Sequence, residues 1–243
     1  MNKLVLGAAQ LGFDYGINNS NGKPSYEVAY DILNTAYDGG IKLIDTAPGY
    51  GESEKVIGQF IKGSNKRFDI CTKISIKPNI TNINDYIYQQ IIDSLENLSI
   101  SRIKYYFIHS FIDIRRNENL LTALNDVKSE GLISNIGVSI YSVEEFEFLI
   151  KNKANLIDAV QIPYNAFDLR WSNKLLAEAK SFNIKIFARS VYLQGLFFVD
   201  KFKADSIHAS TYKYMQLLDN YCEINNFSKQ EALLTFARLQ KDI

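Results

Sequence analysis

The stretch that decides the fold runs from Ile41 to Gly58 and reads IKLIDTAPGYGESEKVIG. A hydrophobic run ends at Asp45, a Gly-Tyr-Gly turn follows around Tyr50, and a helical pattern begins near Glu52. A strand, a glycine turn and a helix in this order suit a phosphate-binding loop. They equally suit a strand that delivers catalytic side chains to a pocket at its carboxyl end.

The residues of the glycine turn argue against phosphate binding. A dinucleotide loop needs three glycines, so that backbone N–H groups can reach a pyrophosphate. Gly49 and Gly51 supply two of these, and Glu54 occupies the third position. Glu52 and Glu54 also put negative charge in the first helical turn, where it would repel a phosphate. This loop has no Lys-Ser or Lys-Thr pair of the P-loop type either, so the stretch favours the catalytic interpretation.

The composition is that of one soluble domain, which we expect to span residues 1–243. Hydrophobic residues make up 47% of the chain and charged residues 22%. The 27 basic and 27 acidic residues balance, which gives no general attraction to nucleic acid or to an anionic membrane. Cys71 and Cys222 fit reduced thiols better than a disulfide framework. No signal-peptide pattern follows Met1, and no apolar run approaches the roughly 18 residues of a membrane span, so we expect a cytoplasmic protein.

Candidate strands alternate with amphipathic helical segments along the chain. The candidate helices include Ser25–Asp38, Ile83–Leu98 and Leu120–Glu130. This alternation indicates parallel βαβ units, and roughly 250 residues in such units is the usual size of a TIM barrel. The seven predicted strands are Leu4–Ala9, Ile41–Thr46, Phe68–Ile74, Ile103–His109, Ile133–Ser139, Ala159–Pro163 and Ile184–Ser190.

The sequence predicts seven strands, whereas a closed (β/α)8 barrel contains eight. After the seventh come a helical region near Ser210–Asn225 and a second helix, in which Ser228 and Glu231 have the spacing of a capping box. That helix reads on to Gln240, and the sequence ends at Ile243. We therefore expect a TIM barrel that lacks its eighth strand and C-terminal segment, with two unpaired sheet edges.

Polar side chains occur at or just after the ends of the predicted strands, which are otherwise apolar. Functional groups of such barrels sit where strands end and βα loops begin, so these side chains are candidates for a site. Individually they also have structural explanations: Asp45 can cap a turn, Lys73 can reach solvent, and His109 can be a hydrogen-bonded structural residue. Their shared position favours function. The candidates are Asp45, Lys73, His109, Ser139, Gln161, Asn165, Arg189 and Ser190.

Three of these residues, together with Tyr50 of the glycine turn, suit the chemistry of a tyrosine general acid. A free tyrosine has a pKa of about 10, and a nearby lysine cation such as Lys73 lowers the pKa of a tyrosine by favouring its anion. Asp45 would hold the lysine in place, and His109 beside Tyr50 would orient a carbonyl oxygen. The alternative is a metal site at Asp45 and His109, but no paired histidine spacing and no Cys-x-x-Cys motif supports one.

At these residues the sequence resembles the aldo-keto reductase family, over nearly the whole chain. The most specific part is DTAPGYGESEKVIG at 45–58, which is similar to the family signature Asp-Thr-Ala-x-x-Tyr-Gly-x-Ser-Glu. Similarity continues through CTKI, YYFIHS, GLISNIGVSIYS, VQIPYNAFD and ARSVYLQGLF. The resemblance implies a TIM barrel and a catalytic tetrad of Asp45, Tyr50, Lys73 and His109.

The resemblance also implies a cofactor, NADPH or alternatively NADH, bound across the carboxyl ends of the strands. Ser139 and Gln161 would then bind the nicotinamide carboxamide, and Arg189 would stack on the ring. The first strand, LVLGAAQLGF, is similar to the family opening Gly-Thr-x-x-Leu-Gly, with Ala8 in place of threonine. The other cofactor-binding residues implied by the resemblance are Gly7, Asp45 and Ser190.

The implied function is reduction of an aldehyde or ketone to an alcohol, with Tyr50 as the general acid. Sugars belong to the range of substrates that the family suggests. A non-catalytic nucleotide sensor or scaffold on the same fold is the alternative, since fold alone does not settle function. The intact tetrad favours the enzyme, and the absence of the segment that grips the adenosine 2′-phosphate in the family favours the alternative. The expected partner is a small carbonyl compound, and we expect no nucleic acid, membrane or metal.

Overall fold

The computed structural model describes residues 3–199 and 209–243, and its framework is one parallel sheet of seven strands. The strands lie side by side in sequence order, so each βα unit adds a strand next to the preceding one. This arrangement confirms the predicted fold class. The strands are β1 (Val5–Gly7), β2 (Leu43–Asp45), β3 (Asp69–Ile74), β4 (Tyr105–Ile108), β5 (Ile136–Ser139), β6 (Ala159–Pro163) and β7 (Lys185–Arg189).

Helices connect the strands, and several of them begin at a side-chain cap. The predicted capping box at the last helix is present, since Ser228 accepts from the Glu231 N–H while the Glu231 carboxylate accepts from the Ser228 N–H. The helices are α1 (Ala9–Gly12), α2 (Tyr26–Asp38), α3 (Ser53–Gly63), α4 (Ile83–Leu98), α5 (Phe111–Arg116), α6 (Leu120–Ser129), α7 (Val143–Lys153), α8 (Asn173–Ser181), α9 (Ala209–Ile224) and α10 (Lys229–Leu239). No helix of the described ranges is both long and apolar enough to cross a bilayer.

The sheet is curled, as contacts on its inner face between side chains of strands that are not neighbours show. Phe187 of β7 packs against Tyr105 and Phe107 of β4, with ring centroids 4.9 and 5.5 Å apart. Leu43 and Cys71 belong to the same inner cluster. Successive side chains of a strand alternate between faces, so Asp45 and Lys73, two residues further along β2 and β3, extend this inner face toward the carboxyl end.

Most strands are shorter than the sequence predicted, because the chain turns away while single ladder bonds persist. The first strand ends at Gly7, and Ala9 begins α1, a helix that the sequence did not reveal. The amide of Ala8 nevertheless donates to Asp45 O at 2.9 Å. Likewise His109 lies just beyond β4, yet its N–H donates to Ile74 O at 2.8 Å. Hydrophobic patterning therefore located the strands and the carboxyl ends of β3, β5 and β6, but it extended the other four strands one or two residues too far.

Hydrogen bonds at both ends of the sheet link the segments that flank the two edge strands β1 and β7, which are not paired with each other. Beyond their carboxyl ends, Ile17 N–H donates to Gln194 O at 2.7 Å. Before β1, the Lys3 ammonium donates to Gln240 O at 3.3 Å and to Ile243 O at 2.7 Å. The Ile17 bond holds two loops of the site beside each other, and the Lys3 bonds span the gap between β1 and β7 at the opposite end of the sheet.

Candidate active site

A buried ion pair lies at the centre of the site. The Lys73 ammonium donates to Asp45 Oδ1 at 2.7 Å and to the main-chain oxygen of Thr46 at 2.8 Å. The lysine side chain is 1% exposed, whereas Asp45 keeps 18% of its side-chain surface. β2 and β3 are neighbours, so the carboxyl ends of two adjacent strands supply both charges.

The ion pair keeps the lysine charged in spite of its burial. Burial alone would lower the pKa of Lys73, but the Asp45 carboxylate and the Tyr50 phenol together raise it above the ordinary value of 10.5. The ammonium also lies 4.8 Å from the centroid of the Tyr50 ring. The structure thus places a permanent cation directly beside the tyrosine that the sequence predicted as the general acid.

Two glycines hold the turn that carries Tyr50. A Cβ on Gly12 would lie 1.6 Å from Tyr50 O, and a Cβ on Gly51 would lie 2.5 Å from Gly12 O. Gly51 also has a φ of +58°, in the left-handed region that favours glycine. The Glu52 amide donates to Gly12 O at 3.3 Å. The backbone of α1 therefore packs directly against the turn before α3, and side chains at either glycine would force them apart.

His109 faces the tyrosine from the loop after β4. Its ring makes an edge contact with Tyr50, with centroids 6.1 Å apart and planes at 85°. Its Nδ1 lies 3.4 Å from Ser75 Oγ. Burial, and then the nearby Lys73 cation, lower the pKa of His109 below its ordinary value of 6.5, so the imidazole is neutral at neutral pH. The structure thus brings together Asp45, Tyr50, Lys73 and His109, the four residues of the predicted tetrad.

A second buried layer lies behind the ion pair. Thr46 Oγ1 donates to Ser53 Oγ at 2.9 Å, and that hydroxyl donates to Ala8 O at 2.8 Å. Thr72 Oγ1 donates to Glu54 Oε1 at 2.6 Å. Burial raises the pKa of Glu54, an effect that the Thr72 hydrogen bond opposes. These bonds tie α3 to β1, β2 and β3, and they turn the Glu54 side chain into the protein rather than toward the helix N-terminus.

Ser139 and Gln161 lie next to each other at the ends of β5 and β6, where they are paired in the ladder. Both are buried, at 2% and 4% exposure. Gln161 Nε2 donates to Asp45 Oδ2 at 3.3 Å, whereas its Oε1 is buried and has no hydrogen-bond partner within the described part of the chain. A buried carbonyl oxygen without a donor is costly, and a ligand N–H would satisfy it.

Arg189 and Ser190, at the end of β7, form the far side of the site. The Arg189 guanidinium lies 4.1 Å from the centroid of the Tyr141 ring and donates weakly to Ser190 Oγ at 3.3 Å and to Ile140 O at 3.4 Å. Within residues 3–199 and 209–243 it has no carboxylate partner. Asn165 Nδ2 donates to Ser190 O at 3.3 Å, which makes Asn165 a support for this loop.

Gly7 occupies the end of β1, opposite Asp45 in the ladder. It is exposed, and a Cβ built there meets nothing within 4 Å. The fold itself therefore does not need a glycine at this position. The open space beside Gly7 and Asp45 leaves room for a ligand to approach the backbone of β1.

Four residues of the site escaped the sequence interpretation. Phe13 and Tyr15 follow α1, and the Phe13 ring lies 6.3 Å from that of Tyr50. Burial, and then Tyr50, raise the pKa of Tyr15. Tyr141 stacks on Arg189, and Ser75 contacts His109. Ser75 and Tyr141 stand one or two residues beyond polar strand ends, and extending the search for candidates by two residues would have found both.

The described residues contain no group of three or more histidine, cysteine, aspartate or glutamate side chains that could hold a metal ion. The Asp45 carboxylate instead accepts from Lys73 and Gln161, with one oxygen for each donor. Its geometry is that of an ion pair in a hydrogen-bonded network.

Comparison with known proteins identifies a family match over nearly the whole chain. A family model described as "Aldo/keto reductase family" matches residues 3–241. The aldo-keto reductase str7 of Strobilurus tenacellus is 29% identical over 199 residues, which covers 79% of this chain and 57% of that protein. An NADH-specific methylglyoxal reductase of Escherichia coli is 27% identical over 201 residues, which covers 72% of this chain and 60% of that protein.

The solved structures agree on the fold. The solved structure of a glycerol dehydrogenase from Gluconobacter oxydans superposes with a TM-score of 0.77 at 21% identity, covering 98% of this chain and 80% of that one. At this identity the likeness concerns the fold. The chain spans little more than half the length of these two curated relatives, 57% and 60%.

Proposed function

The chain belongs to the aldo/keto reductase family, and from this premise we propose that it is a nicotinamide-dependent oxidoreductase that reduces an aldehyde or ketone to an alcohol. One observation carries the proposal. The Lys73 ammonium is buried within 2.7 Å of Asp45 Oδ1 and 4.8 Å from the Tyr50 ring centroid, with the His109 ring 6.1 Å from that of Tyr50. A tyrosine, a charged lysine and a neutral histidine at the carboxyl ends of adjacent strands suit proton donation to a carbonyl oxygen.

Each residue of the tetrad has a distinct role in this reaction. Tyr50 donates its phenolic proton to the substrate oxygen, and the Lys73 cation stabilises the phenolate that remains. Asp45 keeps Lys73 charged and in position, as the raised pKa of the lysine reflects. His109 is neutral and orients the carbonyl oxygen for the proton transfer.

The residues around the tetrad fit a nicotinamide nucleotide. The buried Gln161 Oε1, which has no donor among the described residues, matches a carboxamide N–H, and Ser139 lies beside it. Arg189 offers a planar guanidinium for stacking on a ring, with Ser190 next to it, and the open space at Gly7 and Asp45 leaves room for the approach. When bound, the reduced nucleotide supplies the hydride. We propose NADPH as this nucleotide, with NADH as the alternative, because one relative is described as NADH-specific.

A small carbonyl compound is the substrate that this reaction requires, and the proposed substrates include sugars. A cytoplasmic location is part of it as well, since Cys71 and Cys222 are both free thiols and both buried. Free thiols are typical of proteins in a reducing compartment.

The direct test is turnover of the purified protein on a panel of aldehydes and ketones that includes aldoses, with NADPH and NADH in separate series. Oxidation of the nucleotide would be followed by its absorbance, and binding by quenching of protein fluorescence. We expect turnover that depends on Tyr50. If nucleotide binds but no member of the panel is reduced, the non-catalytic sensor or scaffold becomes the better interpretation.

A further inference from the structure

The ends of β3 and β4 bring a serine hydroxyl to the predicted substrate-orienting histidine. Ser75 follows Ile74, the last residue of β3, and His109 follows Ile108, the last residue of β4. The two strands are paired in the ladder, and the His109 N–H donates to Ile74 O at 2.8 Å. This bond holds the two loop starts together and leaves Ser75 Oγ 3.4 Å from His109 Nδ1.

The backbone around Ser75 is held from two further elements. The Tyr86 hydroxyl of α4 donates a hydrogen bond to Ser75 O at 2.9 Å. Ile76 N–H donates to Asp113 Oδ2 of α5 at 3.2 Å. Ser75 is therefore held by bonds from both neighbouring helices, although its side chain is exposed. A hydroxyl on a backbone held in this way can make a hydrogen bond of fixed direction to a ring nitrogen.

A neutral imidazole carries one proton, which resides on either Nδ1 or Nε2. The hydrogen bond made by one nitrogen determines which tautomer forms. Nδ1 is occupied by Ser75, which leaves Nε2 as the nitrogen of His109 that is free for a ligand. A protonated Nε2 can donate a hydrogen bond to a carbonyl oxygen. An unprotonated Nε2 cannot, because its lone pair would repel the lone pairs of that oxygen.

We propose that the Ser75 hydroxyl donates to His109 Nδ1, keeps the imidazole proton on Nε2, and so acts as a positioning residue for the substrate oxygen. The catalytic meaning of this arrangement rests on the proposed function, while the tautomer itself does not. Ser75 touches neither the substrate nor the reacting atoms in this scheme. It acts through His109.

The chain allows a direct measurement of the tautomer, because His109 and His208 are its only two histidines. Long-range proton–nitrogen NMR spectra of the uniformly ¹⁵N-labelled protein separate protonated from unprotonated ring nitrogens, and a His208→Gln variant assigns the signals of His109. At neutral pH we expect a protonated Nε2 and an unprotonated, hydrogen-bonded Nδ1. A protonated Nδ1 in the wild-type protein would overturn the proposal.

Variants separate the effect of the hydroxyl from that of the loop. Ser75→Ala removes the donor, and Ser75→Thr restores it. Ser110→Ala is the matched control, since Ser110 directly follows His109 and its side chain makes no capping bond to α5. We expect a mixture of tautomers in Ser75→Ala and the wild-type pattern in the other two proteins.

Kinetics test the positioning role. The Ser75→Ala change should lower kcat/KM about three- to tenfold, the size expected for one lost hydrogen bond, with kcat affected more than nucleotide binding. Ser75→Thr and Ser110→Ala should stay near the wild type. An unchanged kcat/KM in Ser75→Ala overturns the positioning role. A wild-type protein without any carbonyl turnover overturns the proposed function, and the nitrogen shifts then still report the tautomer.

Discussion

Lys73 and Asp45 form an ion pair whose two members differ in exposure, since the lysine side chain is 1% and the aspartate side chain 18% exposed. The ammonium lies 2.7 Å from Asp45 Oδ1, and its other acceptor is the main-chain oxygen of Thr46. Asp45 retains contact with water and accepts a second bond from Gln161. Without Lys73, the aspartate would therefore still have water and Gln161 as partners. Without Asp45, the lysine would have no other anionic partner among the described residues.

This asymmetry predicts unequal costs for breaking the pair. Asp45→Asn leaves a buried ammonium without an anion and should reduce the free energy of unfolding by about 3–5 kcal/mol. Lys73→Met leaves Asp45 with its contact to water and its bond from Gln161, and should cost less, about 1–2 kcal/mol from the Thr46 carbonyl that loses its donor. Urea unfolding of the two variants measures the difference, and equal losses would contradict the interpretation.

The same pair predicts a dependence on pH. The pKa of Lys73 is raised in the folded protein, so its contribution is complete below the ordinary value of 10.5 and is lost as pH rises through the folded value. The stability difference between the wild type and Lys73→Met should stay constant through neutral pH and shrink only in strongly alkaline solution. A difference that disappears near neutrality would show that the lysine loses its charge there.

Tyr50→Phe should abolish most carbonyl reduction while nucleotide binding persists. The change removes the phenolic proton and keeps the ring that contacts His109. General acid catalysis is typically worth about 10²–10⁴-fold, and a fall of that size in kcat is expected. Tyr88→Phe is the control, because Tyr88 lies on α4 with 46% of its surface exposed. Full turnover in Tyr50→Phe would exclude this tyrosine as the acid.

Gly12→Ala should displace the turn that carries Tyr50. The new Cβ would lie 1.6 Å from Tyr50 O, and this atom belongs to the backbone, so α1 and the turn must separate. We expect a loss of about 1–3 kcal/mol in stability, typical of overpacking, together with reduced turnover. Gly49→Ala serves as control, since a Cβ there meets nothing within 4 Å. Similar thermal midpoints for the two variants would argue against the close contact.

Glu54→Gln should change how stability depends on pH. Burial raises the pKa of Glu54, so its favourable contribution is complete below the ordinary value of 4.5 and is lost as pH rises through the folded value. Glutamine does not titrate, and the variant should gain stability relative to the wild type as pH rises from the acid range to neutrality. Denaturant unfolding at several pH values measures this gain. Glu147→Gln, at an exposed position of α7, is the control.

Several features of the fold could be predicted because their signals are local. The limits of α4 matched the prediction, Ile83–Leu98, and Ser228 and Glu231 cap α10 as their spacing indicated. The seven strands were located for the same reason, since a buried parallel strand requires a continuous apolar run. The short α1 was missed, because its four residues carry too little periodicity to distinguish them from the end of a strand.

The candidate site could be predicted only in part from the sequence. Alternation along β2 and β3 placed Asp45 and Lys73 on one face, and the order of the strands made them neighbours. The sequence did not show that Gln161, 116 residues from Asp45, donates to the same carboxylate. That contact joins β2 to β6, which are not paired, and it depends on how far the sheet curls.

The sequence by itself determined the order of strands and helices and the polar residues that end the strands, because periodicity and capping act over a few neighbouring residues. Only the tertiary structure decided which atoms meet: the Gly12 backbone against Tyr50, Ser75 at His109 Nδ1, and Gln161 Oε1 without a donor among the described residues. Such contacts depend on sheet curvature, loop paths and side-chain rotamers. These are set by packing between distant segments, and no local pattern encodes them.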